Sequence, residues 1–152
     1  MINLGPYSGK NCPDVRFRPT VIDRILEGAA LLVVLVTWIG IFWLYAQKGN
    51  SLPPDVWMMG GFSVFCFLLL SIAGYLPIRF INFPVRVTER NAGVQYLLAI
   101  RLTRVMNVIL TLTFLGAAFR DHCAFGRILF FIPLVLMGLA FAGYYILALK
   151  YK

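Results

Sequence analysis

Charge is scarce in this chain of 152 residues: Asp, Glu, Lys and Arg together make up 13% of it. An ordinary soluble domain carries about twice that share, ~25%. Histidine is scarcer still, with His122 alone. A lone imidazole beside Asp121 reads as a solvated loop residue. Metal or hydrolytic chemistry needs several ligands, or a nucleophile with its base, converging on one point. The three cysteines, Cys12, Cys66 and Cys123, fall in different expected compartments and form no CxxC pair. Neither a disulfide framework nor a metal site is implied, and no cofactor or catalytic residue is expected. No carboxylate lies inside the long apolar runs, which disfavours a proton-coupled transporter with an acid or histidine at mid-depth. The chain has no internal repeat and no low-complexity tract.

What the sequence has in excess is apolar residues, at 61% against ~45–50% in soluble domains. They come in long uncharged runs: Gly28 to Ala46, Val56 to Leu76 and Ile128 to Leu149. About twenty apolar residues span a bilayer core, and each run meets that length. A fourth run, Val105 to Phe119, is shorter. Its helix must begin near Ile100 and carry Arg101 and Arg104 into the interface, where long arginine side chains snorkel to water. The reading is an all-α membrane protein with four transmembrane helices, spanning about 26–46, 56–76, 100–119 and 128–149. A tail over 1–19 precedes them and an inner loop over 77–99 separates the second and third. The polar start and the long first run argue against a cleaved signal peptide.

The net charge of +8 sets the expected orientation. Lys10, Arg16, Arg18, Arg24, Arg79, Arg86, Arg90, Arg101, Arg104, Lys150 and Lys152 fall on one side, against Lys48, Arg120 and Arg127 on the other. Lysine and arginine stay cytoplasmic beside short-loop helices, so both the N and C termini are expected in the cytoplasm. These are topology charges rather than a nucleic-acid surface. Membrane lipids are the expected partner, with anionic headgroups held at the inner loop.

Along the chain, Thr20-x-x-Asp23 is a helix-start pattern. Trp43, Tyr45 and Trp57 fit an outer aromatic belt, and Tyr144, Tyr145 and Tyr151 an inner one. Pro53 and Pro54 mark a short hairpin turn. The inner loop alternates imperfectly around Pro84, predicting an extended stretch along the headgroups. Thr88 is expected to cap a helix starting at Glu89 and running unbroken into the third span. Arg104, Asn107 and Thr111 share one helix face and predict interhelical hydrogen bonds. Gly138 and Ala142 have small-xxx-small spacing, predicting close packing. Glu27, one turn inside the membrane edge, is expected to form an interhelical ion pair with Arg101 or Arg104.

The stretch NFPVRVTERNAGVQYLLAIRLTR, Asn82 to Arg104, resembles the core of the DUF1648 membrane proteins. That core reads N-[FY]-P-V-x-[IV]-T-E-x-N, then x-x-x-Q-Y and an arginine-bearing helix. Asn82, Phe83, Pro84, Val85, Thr88, Glu89, Asn91, Gln95, Tyr96, Arg101 and Arg104 match it. ILEGAALLVVLVTW, Ile25 to Trp38, is also similar to the family, and the likeness extends from Arg18 to Phe119. The chain departs from it at the outer loop. Leu52 and Pro53 remain, but the usual His-Phe-Asn and Gly-Asp portion is missing, so any contact made there is lost. The resemblance is to a family related to SdpI-type immunity proteins, which protect bacteria from a secreted toxin and act in membrane signalling. It implies a non-enzymatic bacterial inner-membrane protein working through a membrane-protein or peptide partner. The alternative is a small transporter or an accessory subunit of a transport complex.

Overall fold

The computed structural model describes residues 19–77, 80–81, 83–85, 87–88 and 90–151. It holds four helices, α1 (Val21–Gln47), α2 (Pro54–Ala73), α3 (Ala92–Phe119) and α4 (Ala124–Lys150). There is no strand among the described residues. At ~1.5 Å per residue the helices are about 40, 30, 42 and 40 Å long, enough for a hydrocarbon core of ~30 Å. All four are also apolar enough to cross. The chain is an all-α, multi-pass membrane protein, as its runs predict. Contacts of Glu27 with Tyr75 and of Gln95 with Tyr151 bring the start of α1 and the end of α4 to one end of the bundle. That end is called the termini end below, and the opposite one the far end.

Each helix boundary has a local cause. Asp23 Oδ2 accepts hydrogen bonds from the Thr20 N–H at 2.8 Å and the Thr20 hydroxyl at 2.7 Å, fixing the start of α1. At the far end Gly49 and Asn50 both have φ +64°, and the Asn50 N–H donates to the Tyr45 carbonyl at 3.0 Å. That is the 6→1 bond of a Schellman stop, which glycine and asparagine tolerate best. Pro54 opens α2, where its missing N–H costs nothing. α2 ends at Ala73, three residues before the expected 76, through tight turn bonds to Ile72 and Ala73 carbonyls. Pro77 then disfavours helix at Leu76.

The start of α3 corrects another expectation. Thr88 does not cap a helix at Glu89; the N-cap is Asn91 and the helix starts at Ala92. Asn91 Oδ1 accepts from the Thr88 N–H at 2.7 Å, and the Thr88 carbonyl accepts from the Ala92 N–H at 2.9 Å. The polar residues are used in a tight turn, leaving Asn91 to begin the helix. From there α3 does run unbroken past Arg101 and Arg104.

α3 is the hub. It packs on α1, α2 and α4, α1 also packs on α2, and α4 makes no comparable contact with α1 or α2. Within the apolar window of α3, 44% is buried inside the chain, against 11% for α4, so α4 is a peripheral helix on one side of the hub. At the far end Ile41, Val56 and Ala118 form a core with Trp57 and Phe119 against them. Trp57 of the expected belt meets Tyr45 and Phe42 edge-on, at 5.7 and 5.9 Å between centroids. Gly116 approaches the backbone of Leu129 and Phe130 so closely that a Cβ would overlap it. Pro133 has no N–H, so the Leu129 carbonyl lacks its i+4 donor. That carbonyl is among the atoms lying against Gly116, in the position of a Cα–H···O contact. Gly138 and Ala142, by contrast, are exposed, and nothing lies within 4 Å of a Cβ built on Gly138. Their small-residue spacing is not used inside this chain.

The glycine contacts make a prediction. Gly116→Val should destabilise the full chain in detergent by about 1–3 kcal/mol, the usual cost of overpacking. Gly138→Val should leave the melting temperature within a degree or so of the parent. Equal melting of the two variants would show that the α3–α4 crossing is not set at Gly116.

Candidate functional site

The charges at the termini end converge on Arg104. Its position three turns into α3 brings it level with the first turns of α1. Arg104 Nε lies 3.8 Å from Asp23 Oδ1, and Arg104 Nη1 lies 3.6 Å from Glu27 Oε2. Asp23 and Glu27 are four residues apart, hence neighbours on one face of α1. Tyr75, just past α2, donates its hydroxyl to Glu27 Oε2 at 3.1 Å, and its ring faces the Arg104 guanidinium at 5.4 Å. Three segments are thereby joined by one arginine. The pairs are longer than the ~2.7–2.9 Å of charge-assisted hydrogen bonds; they are held by opposite charge in a place short of water.

The expected snorkelling of Arg104 is therefore corrected. Its side chain is 5% exposed and Asp23 is 0% exposed, so the guanidinium is neutralised inside the protein instead of reaching out of it. Of the two expected partners for Glu27, the structure selects Arg104. Arg101 makes no ion pair among the described residues, and its Nε is buried without a hydrogen-bond partner. Sequence reading missed Asp23 as the second acid and Tyr75 as the clamp. The four-residue spacing of Asp23 and Glu27 was the available signal for the first; Tyr75 carried none.

The remaining motif residues build a platform below this cluster. Phe83, Val87, Ala92, Tyr96, Ala99 and Ile100 form one buried apolar core, with Ile81 and Tyr144 against it. Phe83, Val85 and Val87 are buried while Pro84 and Thr88 are exposed. The stretch therefore keeps the period of extended chain without pairing as a strand. Its apolar side folds onto α3. Tyr96 donates its hydroxyl to the Leu76 carbonyl at 2.8 Å. Gln95, fully buried, donates to the carbonyls of Ala148 at 2.9 Å and Tyr151 at 3.2 Å, tying down the end of α4. Tyr145 and Tyr151 stay exposed, as an inner belt requires, whereas Tyr144 joins the platform. Asn82 and Glu89 of the motif, with Arg79, Arg86 and Cys12, lie outside the described residues.

Above the cluster the polar line continues. Asn107 donates from Nδ2 to Ser71 Oγ at 3.1 Å and to the Phe67 carbonyl at 3.3 Å, bridging α3 to α2 as expected. Thr111 turns back instead, donating to its own helix at the Asn107 and Val108 carbonyls. At the far end His122 is not simply solvated. Its Nδ1 sits 3.3 Å from Lys48 Nζ, linking the two far-end turns. Among the described residues no three His, Cys, Asp or Glu side chains group as metal ligands.

The two kinds of polar contact should differ in weight. Removing one partner of a buried ion pair costs about 3–5 kcal/mol, so Arg104→Met should nearly unfold a marginal chain. Adding Asp23→Asn and Glu27→Gln to it should recover most of that loss, because the stranded carboxylates go with it. Additive effects in this cycle would show that the groups do not interact. Asn107→Ala should cost only about 0.6 kcal/mol, the mean for interhelical hydrogen bonds in a bilayer. No family model, curated protein or solved structure matches this chain.

Proposed function

We propose that the chain is a DUF1648-type protein of the bacterial cytoplasmic membrane, with both termini inside the cell. It works without catalysis, through contacts with a membrane-protein or peptide partner in signalling or immunity. One observation carries this reading. The described residues of the motif that are buried, Phe83, Val85, Asn91, Gln95, Tyr96 and Arg104, are spent on contacts within the chain. The motif thus makes a rigid platform, and the residues it leaves facing outward, Thr88 and Arg90 among them, are placed to meet another molecule. The charged cluster is closed on itself as ion pairs, which suits a structural lock better than an acid–base pair awaiting substrate.

A second reading, a small transporter or a subunit of one, has its own observation. Ser63 Oγ and Asn107 Oδ1 are buried in the bundle with no hydrogen-bond partner among the described residues. Buried polar atoms of this kind are often met by water.

The readings separate experimentally. A photo-crosslinking residue at Thr88 or Arg90 in living cells should capture one defined protein, whereas one at Leu69 on the lipid-exposed face of α2 should not. Reporter fusions near Asn50 and Ala124 should respond as external. Capture of no defined protein from the platform, together with solute flux in proteoliposomes of the pure chain, would replace the first reading with the second.

A further inference from the structure

Three hydroxyls converge where α1, α2 and α3 meet. α1 and α2 pack on each other and on α3, so a fully buried side chain on either faces their shared seam. Thr37 of α1 and Ser63 of α2 are both 0% exposed. Thr111 of α3 is also 0% exposed. It lies seven residues past Arg104, about 20° from it round the helix at ~100° per residue. That places it between Arg104, which meets α1, and Asn107, which meets α2.

Their heights agree as well. α2 runs against both α1 and α3. Gly60 lies against Trp38 and Ile41 of α1, so Ser63, three residues nearer the termini end, comes level with Thr37. Phe62 stacks on Phe114 at 6.1 Å, and the Phe67 carbonyl accepts from Asn107. Ser63 and Thr111 both fall between those two contacts, within about one turn, ~5.4 Å, of each other. Ser63 is the tenth of the twenty residues of α2, so the meeting point is near mid-membrane. On its far side Ile41, Val56 and Ala118 close the seam with apolar contacts.

Hydrogen-bond arithmetic names an occupant. The Thr37 hydroxyl donates to the Val33 carbonyl at 2.8 Å, and the Thr111 hydroxyl to the Asn107 and Val108 carbonyls at 2.9 and 3.0 Å. Both protons are spent, but each oxygen keeps a lone pair that can accept. Ser63 Oγ is buried with no hydrogen-bond partner among the described residues, so its O–H is a donor with nothing to meet. One donor and two acceptors are the complement of a single water, which accepts once and donates twice. A metal cation would find no carboxylate at this depth, where bare charge is expensive.

We propose that one water molecule is bound here as a fixed part of the bundle, accepting from Ser63 and donating to Thr37 and Thr111. Three hydrogen bonds is the usual number for a buried water. It joins α1, α2 and α3 at mid-depth, beyond the reach of the ion pairs. It depends on neither reading of function, since a fixed water needs no partner and carries no flux. The α3–α4 seam is dry by contrast, because Gly116 lies directly on the backbone of Leu129 and Phe130.

Solid-state NMR of the full chain in lipid bilayers, with magnetisation passed from water to protein, tests this. Transfer should be strong at Thr37, Ser63 and Thr111 and absent at Gly116. Ser63→Ala takes a partner from the bound water, so the melting temperature in detergent should fall by about 2–4 °C, the scale of one hydrogen bond in a chain of this size. In a dry site the same change would remove a stranded hydroxyl, and the melting temperature would rise. Ser63→Val, which puts methyl groups where the water sits, should abolish transfer to Thr37 and Thr111, so the result does not rest on stability alone. A parent without transfer to Thr37 and Thr111, equal transfer at Gly116, transfer that persists in Ser63→Val, or a rise in melting temperature for Ser63→Ala overturns the site.

Discussion

A guanidinium cannot be left bare beside hydrocarbon, and that constraint organises this protein. Placing an arginine at the centre of a bilayer costs ~2.5–3.5 kcal/mol on insertion scales. Arg104 avoids exposure to lipid by drawing Asp23 and Glu27 of α1 to itself. Satisfying it fixes how far α1 slides along α3, because a shift of one turn, about 5.4 Å, would part the charges. It also positions Tyr75, whose hydroxyl reaches Glu27 while its ring faces the guanidinium. The depth of α1, the end of α2 and the register of α3 are thus tied at one point.

With that register set, the rest of the bundle follows from the solvent on each part. Between helices in lipid the hydrophobic effect gives little, since the acyl chains are as apolar as leucine. The contacts there are accordingly close backbone approaches and hydrogen bonds. Gly116 lies on the Leu129 backbone, Gly126 on the Phe119 carbonyl, and Asn107 on Ser71. α3 carries the polar side chains and is the helix the others surround; α4, nearly all apolar, stays outermost.

The spans were legible because length and hydropathy are properties of the sequence itself, and the hydrocarbon thickness is known. The capped start of α1 was legible because Thr20 and Asp23 act over three residues. The pairing of Glu27 with an arginine could be foreseen from depth alone. What could not be read was which arginine. Arg101 and Arg104 lie at similar depth and differ by about 60° of helix rotation, and rotation is set by how α3 packs on its other neighbours. The same holds for Gly138, whose spacing matches a packing motif although the face carrying it meets no helix of this chain. The inner stretch was only partly legible for a different reason. Its alternation was real, but what the apolar side would meet was not legible: with no described strand to pair with, it packs on the flank of α3.

That last difference shows that two stabilising regimes meet in one helix. α3 is about 42 Å long, some 12 Å more than the ~30 Å hydrocarbon core. Since Arg104 sets the level of the interface, the excess lies at the termini end, in the turns carrying Ala92, Gln95, Tyr96 and Ala99. Helix length beyond the hydrocarbon meets water, where burying apolar surface becomes favourable again. Phe83, Val87 and Tyr96 form a core of the ordinary soluble kind there. Polar groups that lipid would not tolerate can remain at its surface, as Thr88 and Arg90 do. Selective contact with another molecule needs a surface of mixed chemistry held rigid, and in this chain the lipid-facing sides are nearly uniform. The platform meets both conditions because it is stabilised by water on one side and by the charge lock of α1 and α3 on the other.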